Sequence, residues 1–282
     1  MRADLHSHST ASDGTSPPAE VMRQARAAGL DVIALTDHDT VAGHREAAAA
    51  LPAGLALLPG MELSCRWHGH SVHLLGYLFD PGHQELAAEC ARITASRRDR
   101  ARAMVERLAA LGVPVTWEQV AALAGDGVVG RPHIARAMAA VGAIDRPDEA
   151  FSPEWIGAGG RAHVARYALD PERAIGLIRD AGGVSVLAHP RAGARGWLMP
   201  DDLIAGLAAA GLSGIEVWHP DHDQAQRAHL QALAARLNLV ASGGSDDHGE
   251  LTGYRIGFDT IAPDAYERLI SSATGGTPVS GP

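Results

Sequence analysis

Several histidines of this sequence come directly after short apolar runs, where they could serve as metal ligands. His6 and His8 come after the first run, and an i, i+2 pair on an extended strand points both imidazoles to the same side. Because the chain has 15 histidines, chance alone predicts about one His-x-His, so this spacing is weak by itself. His68 and His70 have the same spacing around a turn signal, and we expect both at the surface.

The position of His6 and His8 makes them stronger candidates than their spacing alone, because other histidines and carboxylates also lie at strand ends. His38 follows the second apolar run, Glu62 the third, and His189 the run Val184–Leu187, whereas His73 lies inside its own run. The candidate ligands are His6, His8, Asp13, His38, Glu62, His73, His189, Asp246 and His248.

Nine such side chains exceed what one ion needs. Neutral imidazole suits zinc, manganese and iron, and carboxylates bind divalent cations well. Two or more ions about 4 Å apart can hold a phosphoryl group, neutralise its charge and supply a hydroxide nucleophile. The set therefore predicts a metal cluster and phosphoester hydrolysis.

These residues need a scaffold that brings several strand ends together. Apolar runs alternate with helical patterns near both ends of the chain, which predicts a mostly parallel sheet buried on both faces. At least six such strands favour an α/β fold of the (β/α) barrel type, whose active site lies at the C-terminal strand ends. We expect a first barrel part in residues 1–80, a helical insertion that caps the substrate in residues 81–160, and a second barrel part in residues 161–282.

Two segments have strong composition biases. The stretch Arg97–Arg102 carries four arginines at helical spacing, and a solvent-exposed helix face is the favoured interpretation over phosphate binding. The tail Thr274–Pro282 is rich in Gly, Ser, Thr and Pro, and we expect it to be frayed.

Composition also narrows the function classes. A net charge of −9 and the complete absence of lysine argue against a general nucleic-acid binder. No apolar run reaches the roughly 18 residues that span a membrane, and the N-terminus is too polar for a signal peptide, so we expect a cytoplasmic protein. Cys65 and Cys90 form no disulfide framework or Cys-x-x-Cys zinc pattern. The missing lysine excludes the usual metal-dependent amidohydrolases, whose ions are bridged by a carbamylated lysine.

Six motifs are spread over about residues 1–80 and 161–255. They are Asp4-Leu5-His6-Ser7-His8-Ser9, Thr36-Asp37-His38-Asp39, Gly60-Met61-Glu62, His73-Leu74-Leu75-Gly76, Ala188-His189-Pro190 and Ser245-Asp246-Asp247-His248. Together they resemble the PHP (polymerase and histidinol phosphatase) family of metal-dependent phosphoesterases. The resemblance implies a distorted (β/α)7 TIM-like barrel with three divalent ions, which would be Mn²⁺, Zn²⁺ or Fe²⁺.

The resemblance also implies how the ligands are shared. One ion would be held by His6, His8, Glu62 and Asp246, a second by Asp13, His38 and His248, and a third by Glu62, His73 and His189. Glu62 would bridge, and Glu62, Asp13 and His38 would be the catalytic positions around a metal-bridged hydroxide that attacks phosphorus in line. We further expect Asp37 and Asp247 to orient ligand histidines.

A motif in the helical insertion narrows the resemblance to one branch of the family. The segment Val129-Gly130-Arg131-Pro132-His133-Ile134-Ala135-Arg136 resembles the enzymes that remove the 3′-phosphate from nucleoside 3′,5′-bisphosphates, which are related to 5′→3′ trimming of short RNA. Arg131 and His133 would contact the second phosphate or the base; alternatively, Arg131 caps a helix against which His133 packs. Arg191 is a further candidate for phosphate binding, and His219 and His222 either line the pocket or only rim it.

The leading hypothesis is a phosphatase for a small nucleotide, either a nucleoside 3′,5′-bisphosphate or an AMP-like compound. A 5′→3′ exoribonuclease on short 5′-phosphorylated RNA is the main alternative, although the acidic net charge disfavours long polymers. Histidinol-phosphate hydrolysis and a non-catalytic metal-binding domain are two further alternatives. We expect neither a membrane partner nor an obligate protein partner.

Overall fold

The computed structural model describes residues 1–193 and 197–282. Seven strands follow one another in chain order across one sheet, and an eighth pairs with the third. The strands are β1 Ala3–Asp4, β2 Val32–Leu35, β3 Ala56–Trp67, β4 His70–Tyr77, β5 Val184–Leu187, β6 Gly214–Trp218, β7 Val240–Gly243 and β8 Val279–Ser280.

The sheet curls until its first and last strands meet. Ser7 and Asp247 form a parallel bridge just beyond β1 and β7, and the Leu5 N–H donates to the Gly243 carbonyl at 3.3 Å. The pairs β1–β2, β2–β3, β5–β6 and β6–β7 are parallel. A nearly closed barrel of seven strands flanked by helices confirms the predicted (β/α)7 architecture.

Strand β4 runs antiparallel to both of its neighbours, β3 and β5. A two-residue turn joins β3 to β4, and its residues His68 and Gly69 both have positive φ, as a tight hairpin requires. Because β4 is reversed, His73 near its start lies at the barrel end where the parallel strands finish. The pattern of apolar residues predicted this strand but not its direction, which explains why His73 appeared misplaced in the sequence.

Nine α-helices are found in the described part of the chain. They are α1 Pro18–Ala27, α2 His44–Ala49, α3 Gln84–Ala110, α4 Trp117–Ala124, α5 Arg131–Ala140, α6 Pro171–Asp180, α7 Asp201–Ala209, α8 Gln224–Arg236 and α9 Pro263–Ile270. None of these helices is both long and apolar enough to cross a bilayer.

Helices α3, α4 and α5 have a hydrophobic core separate from that of the barrel. Met104, Leu108, Ile134 and Met138 are fully buried in one cluster with other residues of positions 101–164. The N-terminal half of α3 packs instead into the barrel, where Ile93 is fully buried. This long helix therefore joins the two cores.

The interpretation of Arg97–Arg102 as a solvent-exposed face is wrong for two of its arginines. Arg97 and Arg100 are only 5% and 8% exposed. Arg97 donates from Nε to Asp39 at 2.7 Å and from Nη2 to the Ser64 hydroxyl at 2.6 Å, so it joins α3 to the ends of β2 and β3. Sequence spacing placed these side chains on a helix but could not show that this face meets the barrel.

The prediction of a frayed tail is also wrong, because the tail packs against the barrel. Strand β8 pairs with Ala56 and Leu57 at the start of β3. Gly275 lies so close to the Ala181 carbonyl that a Cβ there would be 2.3 Å from its oxygen. The glycines that suggested disorder allow this close backbone approach.

We expect Arg97→Met to lower the free energy of unfolding by about 3–5 kcal/mol, because it leaves the buried Asp39 carboxylate without its cation. Urea unfolding followed by circular dichroism measures the change. The matched control is Arg98→Met on the exposed side of the same helix, which should shift stability by less than about 0.5 kcal/mol. Equal losses in the two variants would contradict this account of the ion pair.

Candidate metal centre

The nine candidate ligands predicted from the sequence all lie at one end of the barrel. His6 and His8 follow β1, His38 follows β2, Glu62 and His73 lie on β3 and β4, His189 follows β5, Asp246 and His248 follow β7, and Asp13 lies in the loop after β1. Groups of these side chains place their ligand atoms within 4.8 Å of one another. The side chains of His38, His73 and His248 are 10%, 12% and 15% exposed, so the centre opens to solvent beside them.

Glu62 lies between two groups of imidazoles. Its Oε1 is 2.6 Å from His73 Nδ1 and 2.9 Å from His189 Nε2. Its Oε2 is 3.1 Å from His38 Nδ1 and 3.2 Å from His8 Nε2. One oxygen thus faces each group, which is the geometry required of a carboxylate that bridges two ions.

The Oδ1 atom of Asp246 meets the His-x-His pair. It lies 3.3 Å from His6 Nε2 and 3.3 Å from His8 Nε2, and these two nitrogens are only 3.1 Å apart. With Glu62 Oε2 these atoms form a fully buried group of four potential ligands. It has the same composition as the first ligand set implied by the family resemblance.

A second group lies beside the first. Asp13 Oδ2 is 3.9 Å from His38 Nε2, and Asp13 Oδ1 is 3.5 Å from His248 Nε2. His8 also lies within reach of this group. The third group differs from the third ligand set implied by the resemblance. It contains Glu62 and His73 as implied, but its third member is His38 and not His189.

The donor atoms fit divalent cations. The buried atoms His8 Nδ1 and Asp13 Oδ1 have no hydrogen-bond partner among the described residues. Buried polar atoms without partners are costly, and they occur here on side chains whose chemistry is that of metal ligands. The mixed imidazole and carboxylate donors suit Mn²⁺, Zn²⁺ or Fe²⁺.

Some imidazoles of the centre take up a proton and balance the negative charge of the carboxylates, whereas others stay neutral. Burial opposes protonation of His8, yet hydrogen bonds to Asp246 and Glu62 outweigh it and raise the pKa of His8 to about 10. Burial lowers the pKa of His38 to about 3 despite the nearby Glu62 and Asp13. Burial would raise the pKa of Glu62, but the surrounding imidazoles hold it well below its usual range. The carboxylate is therefore ionised, and His38 is already in the neutral form that binds metal.

Asp37 and Asp247 act on loops rather than on imidazoles. Asp37 accepts hydrogen bonds from the Ser9 backbone and hydroxyl and from the Ser12 hydroxyl, at 2.8, 2.7 and 2.6 Å. Asp247 accepts from the Arg255 and Gly249 backbone N–H groups at 2.7 and 2.9 Å. The expectation that these carboxylates contact ligand histidines is corrected accordingly: they fix the loops that follow β1 and β7.

The helical insertion reaches the centre through the start of α5. A Cβ on Gly130 would lie 3.0 Å from Asp13 Oδ2. The buried His133 accepts a hydrogen bond from the Gly130 N–H at 3.0 Å, so His133 rather than Arg131 caps the helix. The Arg131 guanidinium carbon lies 5.4 Å from the centroid of the Phe151 ring.

The other predicted substrate contacts are held by protein groups. Arg191 pairs with Asp201, and its Nη2 lies 3.3 Å from His229 Nε2. His222 donates from Nδ1 to the Val217 carbonyl at 3.0 Å and accepts the Arg191 N–H at Nε2 at 3.3 Å. Both ring nitrogens of His222 are thus used to hold the loops after β5 and β6.

The sequence analysis named Arg131 as a phosphate contact and assigned Arg100 to an exposed helix face, but it did not identify Arg66 and Arg166 as their neighbours. Arg66 lies two residues beyond Ser64 on the face of β3 that carries Glu62, because side chains alternate along a strand. Arg100 is buried, its Nε has no hydrogen-bond partner among the described residues, and burial together with Arg97, Arg166, Arg131 and Arg66 holds its pKa well below the usual value. We call Arg66, Arg100, Arg131 and Arg166 the arginine cluster.

Three members of the cluster carry charge that no described carboxylate pairs with. Arg66, Arg100 and Arg166 form no ion pair with a described carboxylate, whereas the neighbouring Arg97 pairs with Asp39. Burial, reinforced by Arg97, lowers the pKa of Arg166 to about 9. Guanidinium groups that lie close together without carboxylate partners have the charge and the hydrogen-bond donors that suit an anion.

Glu216 was not predicted, and His219, which was expected to line or rim the pocket, contacts a candidate ligand. Glu216 is fully buried on β6, and its Oε1 lies 3.1 Å from His6 Nδ1. His219 is also fully buried, and its Nε2 lies 3.3 Å from Asp246 Oδ2. Glu62 was identified because it follows an apolar run, whereas Glu216 lies inside one, so the same rule did not select it.

Comparison with known proteins gives a consistent picture. A sequence profile of the PHP domain matches residues 4–114. A Haemophilus influenzae protein named 5′-3′ exoribonuclease is 38% identical over 87% of this chain and 89% of its own length. A Chromobacterium violaceum protein named 3′,5′-nucleoside bisphosphate phosphatase is 36% identical over 89% of both chains. A Bifidobacterium adolescentis structure described as a metal-dependent phosphoesterase is 34% identical and superposes with a TM-score of 0.90 over 96% of both chains.

Mn²⁺ should raise the melting temperature, and the rise should grow from about pH 6.5 to about pH 8.5. The pKa of His8 is about 10 in the folded protein and near 6.5 in the unfolded chain, so its protonation stabilises the metal-free fold. This stabilisation is complete below about pH 6.5 and is lost as the pH rises through 10. Metal binding must displace the same proton, so it strengthens over the same range. Differential scanning fluorimetry with and without MnCl₂ measures both trends.

Glu62→Gln is the control for these melting experiments, because its amide cannot supply two anionic oxygens. We expect it to abolish most of the Mn²⁺-dependent rise at every pH. A rise that is independent of pH, or that survives in this variant, would show that Mn²⁺ stabilises the protein from another place.

Proposed function

This chain belongs to the PHP domain family and is a metal-dependent phosphoesterase, and we propose that it hydrolyses a phosphate monoester of a small nucleotide. The preferred substrate in this proposal is a nucleoside 3′,5′-bisphosphate, which loses its 3′-phosphate. The observation that carries the proposal is the combination of a ligand-rich centre with a separate arginine cluster, since such a substrate has one phosphate for each.

The nine candidate ligands would hold up to three divalent ions, in the sets implied by the family resemblance. Two sets have direct support in the distances around Asp246 and around Asp13. For the third set, the support is that His73 and His189 both approach Oε1 of Glu62. Ions bound there would neutralise phosphoryl charge and lower the pKa of bound water.

The chain's own residues have distinct tasks in this reaction. Glu62 is ionised and places one oxygen toward each group of imidazoles, so it fixes the two groups relative to each other. His38 stays neutral and lies between Asp13 and Glu62 beside the open side of the centre. Glu62, Asp13 and His38 are the residues we propose as catalytic, because they surround the point where substrate enters.

The second phosphate would bind to the arginine cluster. Arg100 provides a buried guanidinium with an unpartnered Nε, and Arg66 extends from the strand that carries Glu62. Arginine forks match the oxygens of a phosphate group and remain charged when lysine would not. Arg131 opens α5, whose first turn also favours an anion.

This arrangement gives the helical insertion its role. In our proposal residues 81–160 form a substrate cap, because α3 brings Arg100 and α5 brings Arg131 over the centre. His133 takes part by fixing the start of α5 through Gly130. Arg191 and His222 would position the loops after β5 and β6, consistent with their hydrogen bonds.

A 5′→3′ exoribonuclease acting on short RNA is the second candidate, and the relative from H. influenzae favours it. A 5′-phosphate of RNA would bind to the same arginine cluster while the next phosphodiester reached the metal centre. The chain's net charge of −9 works against long polymers. Short oligonucleotides would therefore be the substrates in this case.

The first test is release of phosphate from adenosine 3′,5′-bisphosphate in the presence of Mn²⁺. We expect turnover by the wild type and a loss of more than about 100-fold in kcat/KM for Glu62→Ala, since even partners of metal ligands are worth about 10–100-fold. A series of 5′-phosphorylated RNAs of increasing length serves as the comparison. Turnover of RNA that falls steeply toward the dinucleotide would reverse the order of the two candidates.

The second test concerns the arginine cluster. Arg100→Met should raise KM for adenosine 3′,5′-bisphosphate about 10- to 100-fold, because a hydrogen bond to a charged group contributes about 1.5–3 kcal/mol. KM for adenosine 3′-monophosphate, which lacks the second phosphate, should stay near the wild-type value. Arg98→Met on the exposed side of α3 is the matched control for both substrates. An equal change in KM for the two substrates would place the second phosphate elsewhere.

A further inference from the structure

Strand β6 differs from every other strand of the barrel order β1 to β7, because none of the nine candidate ligands lies on it or in the segment that follows it. It nevertheless contributes two fully buried polar side chains at the same end of the barrel. These are Glu216 within the strand and His219 just after it. Their contacts go to candidate ligands that belong to different sets.

Glu216 joins the strands on either side of the centre. Its Oε1 accepts a hydrogen bond from His6 Nδ1 at 3.1 Å, and its Oε2 accepts the His189 backbone N–H at 2.7 Å. With Nδ1 donating to Glu216, Nε2 is the nitrogen of His6 that faces Asp246 and Glu62 and would bind an ion there. His189 has a positive φ of 30°, which is strained for a residue with a side chain, and the bond to Glu216 helps to hold it there.

His219 supports the ligand on the other side of β6. Its Nδ1 accepts the Asp221 backbone N–H at 3.0 Å, so that nitrogen has no proton and Nε2 carries it. Nε2–H then donates to Asp246 Oδ2 at 3.3 Å, which leaves Oδ1 directed at His6 and His8. Asp246 is also strained, with a φ of 50°.

The loop that carries His219 is itself fixed. Arg227 on α8 donates to the His219 carbonyl at 2.7 Å and to the His222 carbonyl at 3.0 Å. The same guanidinium pairs with both oxygens of Asp259 at 2.8 and 2.9 Å. Arg227 therefore fixes the backbone from which the His219 ring extends.

His6, Glu216 and His219 lie close enough together to suggest a further cation site. The hydrogen bonds argue against that interpretation. His6 Nδ1 and His219 Nε2 both carry protons toward carboxylate oxygens, so neither has a lone pair for an ion at this place. The group is instead a set of hydrogen bonds behind the ligands.

We propose that Glu216 and His219 are positioning residues that hold His6, His189 and Asp246 in the geometry needed for metal binding. The inference rests on the ligand sets of the proposed function. In those sets His6 and Asp246 serve the first ion and His189 the third, so Glu216 couples two ion positions. Hydrogen-bond partners of metal ligands fix ring orientation and increase the basicity of the ligand.

Direct titration with MnCl₂ tests the inference without any substrate. Glu216→Gln and His219→Leu should each weaken Mn²⁺ binding about 10- to 100-fold, measured by calorimetry and by metal content after dialysis. His219→Gln should restore near-wild-type affinity, because the glutamine amide can still donate to Asp246. His68→Gln in the exposed β3–β4 turn is the control for loss of a histidine elsewhere.

Melting of the metal-free proteins separates positioning from a purely structural role. Weaker Mn²⁺ binding with an unchanged metal-free melting temperature supports the inference. Wild-type affinity in both Glu216→Gln and His219→Leu overturns it, as does a loss in His219→Gln equal to that in His219→Leu. If no nucleotide is hydrolysed but these affinities change as described, the proposed function fails and the positioning role stands.

Discussion

Carboxylates taken out of water must find positive charge, and the open end of this barrel is organised by that requirement. Glu62, Asp246 and Asp13 are almost fully buried and face imidazoles, which carry charge only while protonated. Protonated histidines supply this positive charge unevenly, because the pKa of His8 is raised whereas the pKa of His38 is lowered. The negative charge of the candidate ligands is therefore balanced fully only by cations whose charge does not depend on pH.

The positive charge that the protein does fix lies one layer away, on arginine. Arg97 neutralises Asp39, while Arg100 and Arg66 form no ion pair with a described carboxylate and would bind the second phosphate in the proposed function. In that proposal, imidazoles would hold the metal ions and guanidinium groups would hold the phosphate that does not react. The absence of lysine is compatible with this proposal, because the permanently charged, bidentate guanidinium group suits a phosphate better than an ammonium group does.

Much of this arrangement could be predicted from the sequence, because the ligands stand at the ends of apolar strands and strand ends meet in a barrel. His73 was the exception, and the reversed direction of β4 explains it. Local patterns do not encode strand direction, nor do they show which face of a long helix is buried, so Arg100 was placed at the surface. Glu216 escaped notice because a single acid in an apolar strand has no partner visible in the sequence.

The order of the ligands along the chain has a consequence for folding. Six of the nine precede residue 80, whereas His189, Asp246 and His248 come after the helical insertion. His6 and Asp246 are joined directly, since the Asp246 N–H donates to the His6 carbonyl at 2.9 Å across the seam between β1 and β7. Closing a loop of that length is slow and entropically unfavourable. The complete set of ligands therefore exists only once the last barrel strand lies beside the first, and a cation bound there would link residues from both ends of the polypeptide.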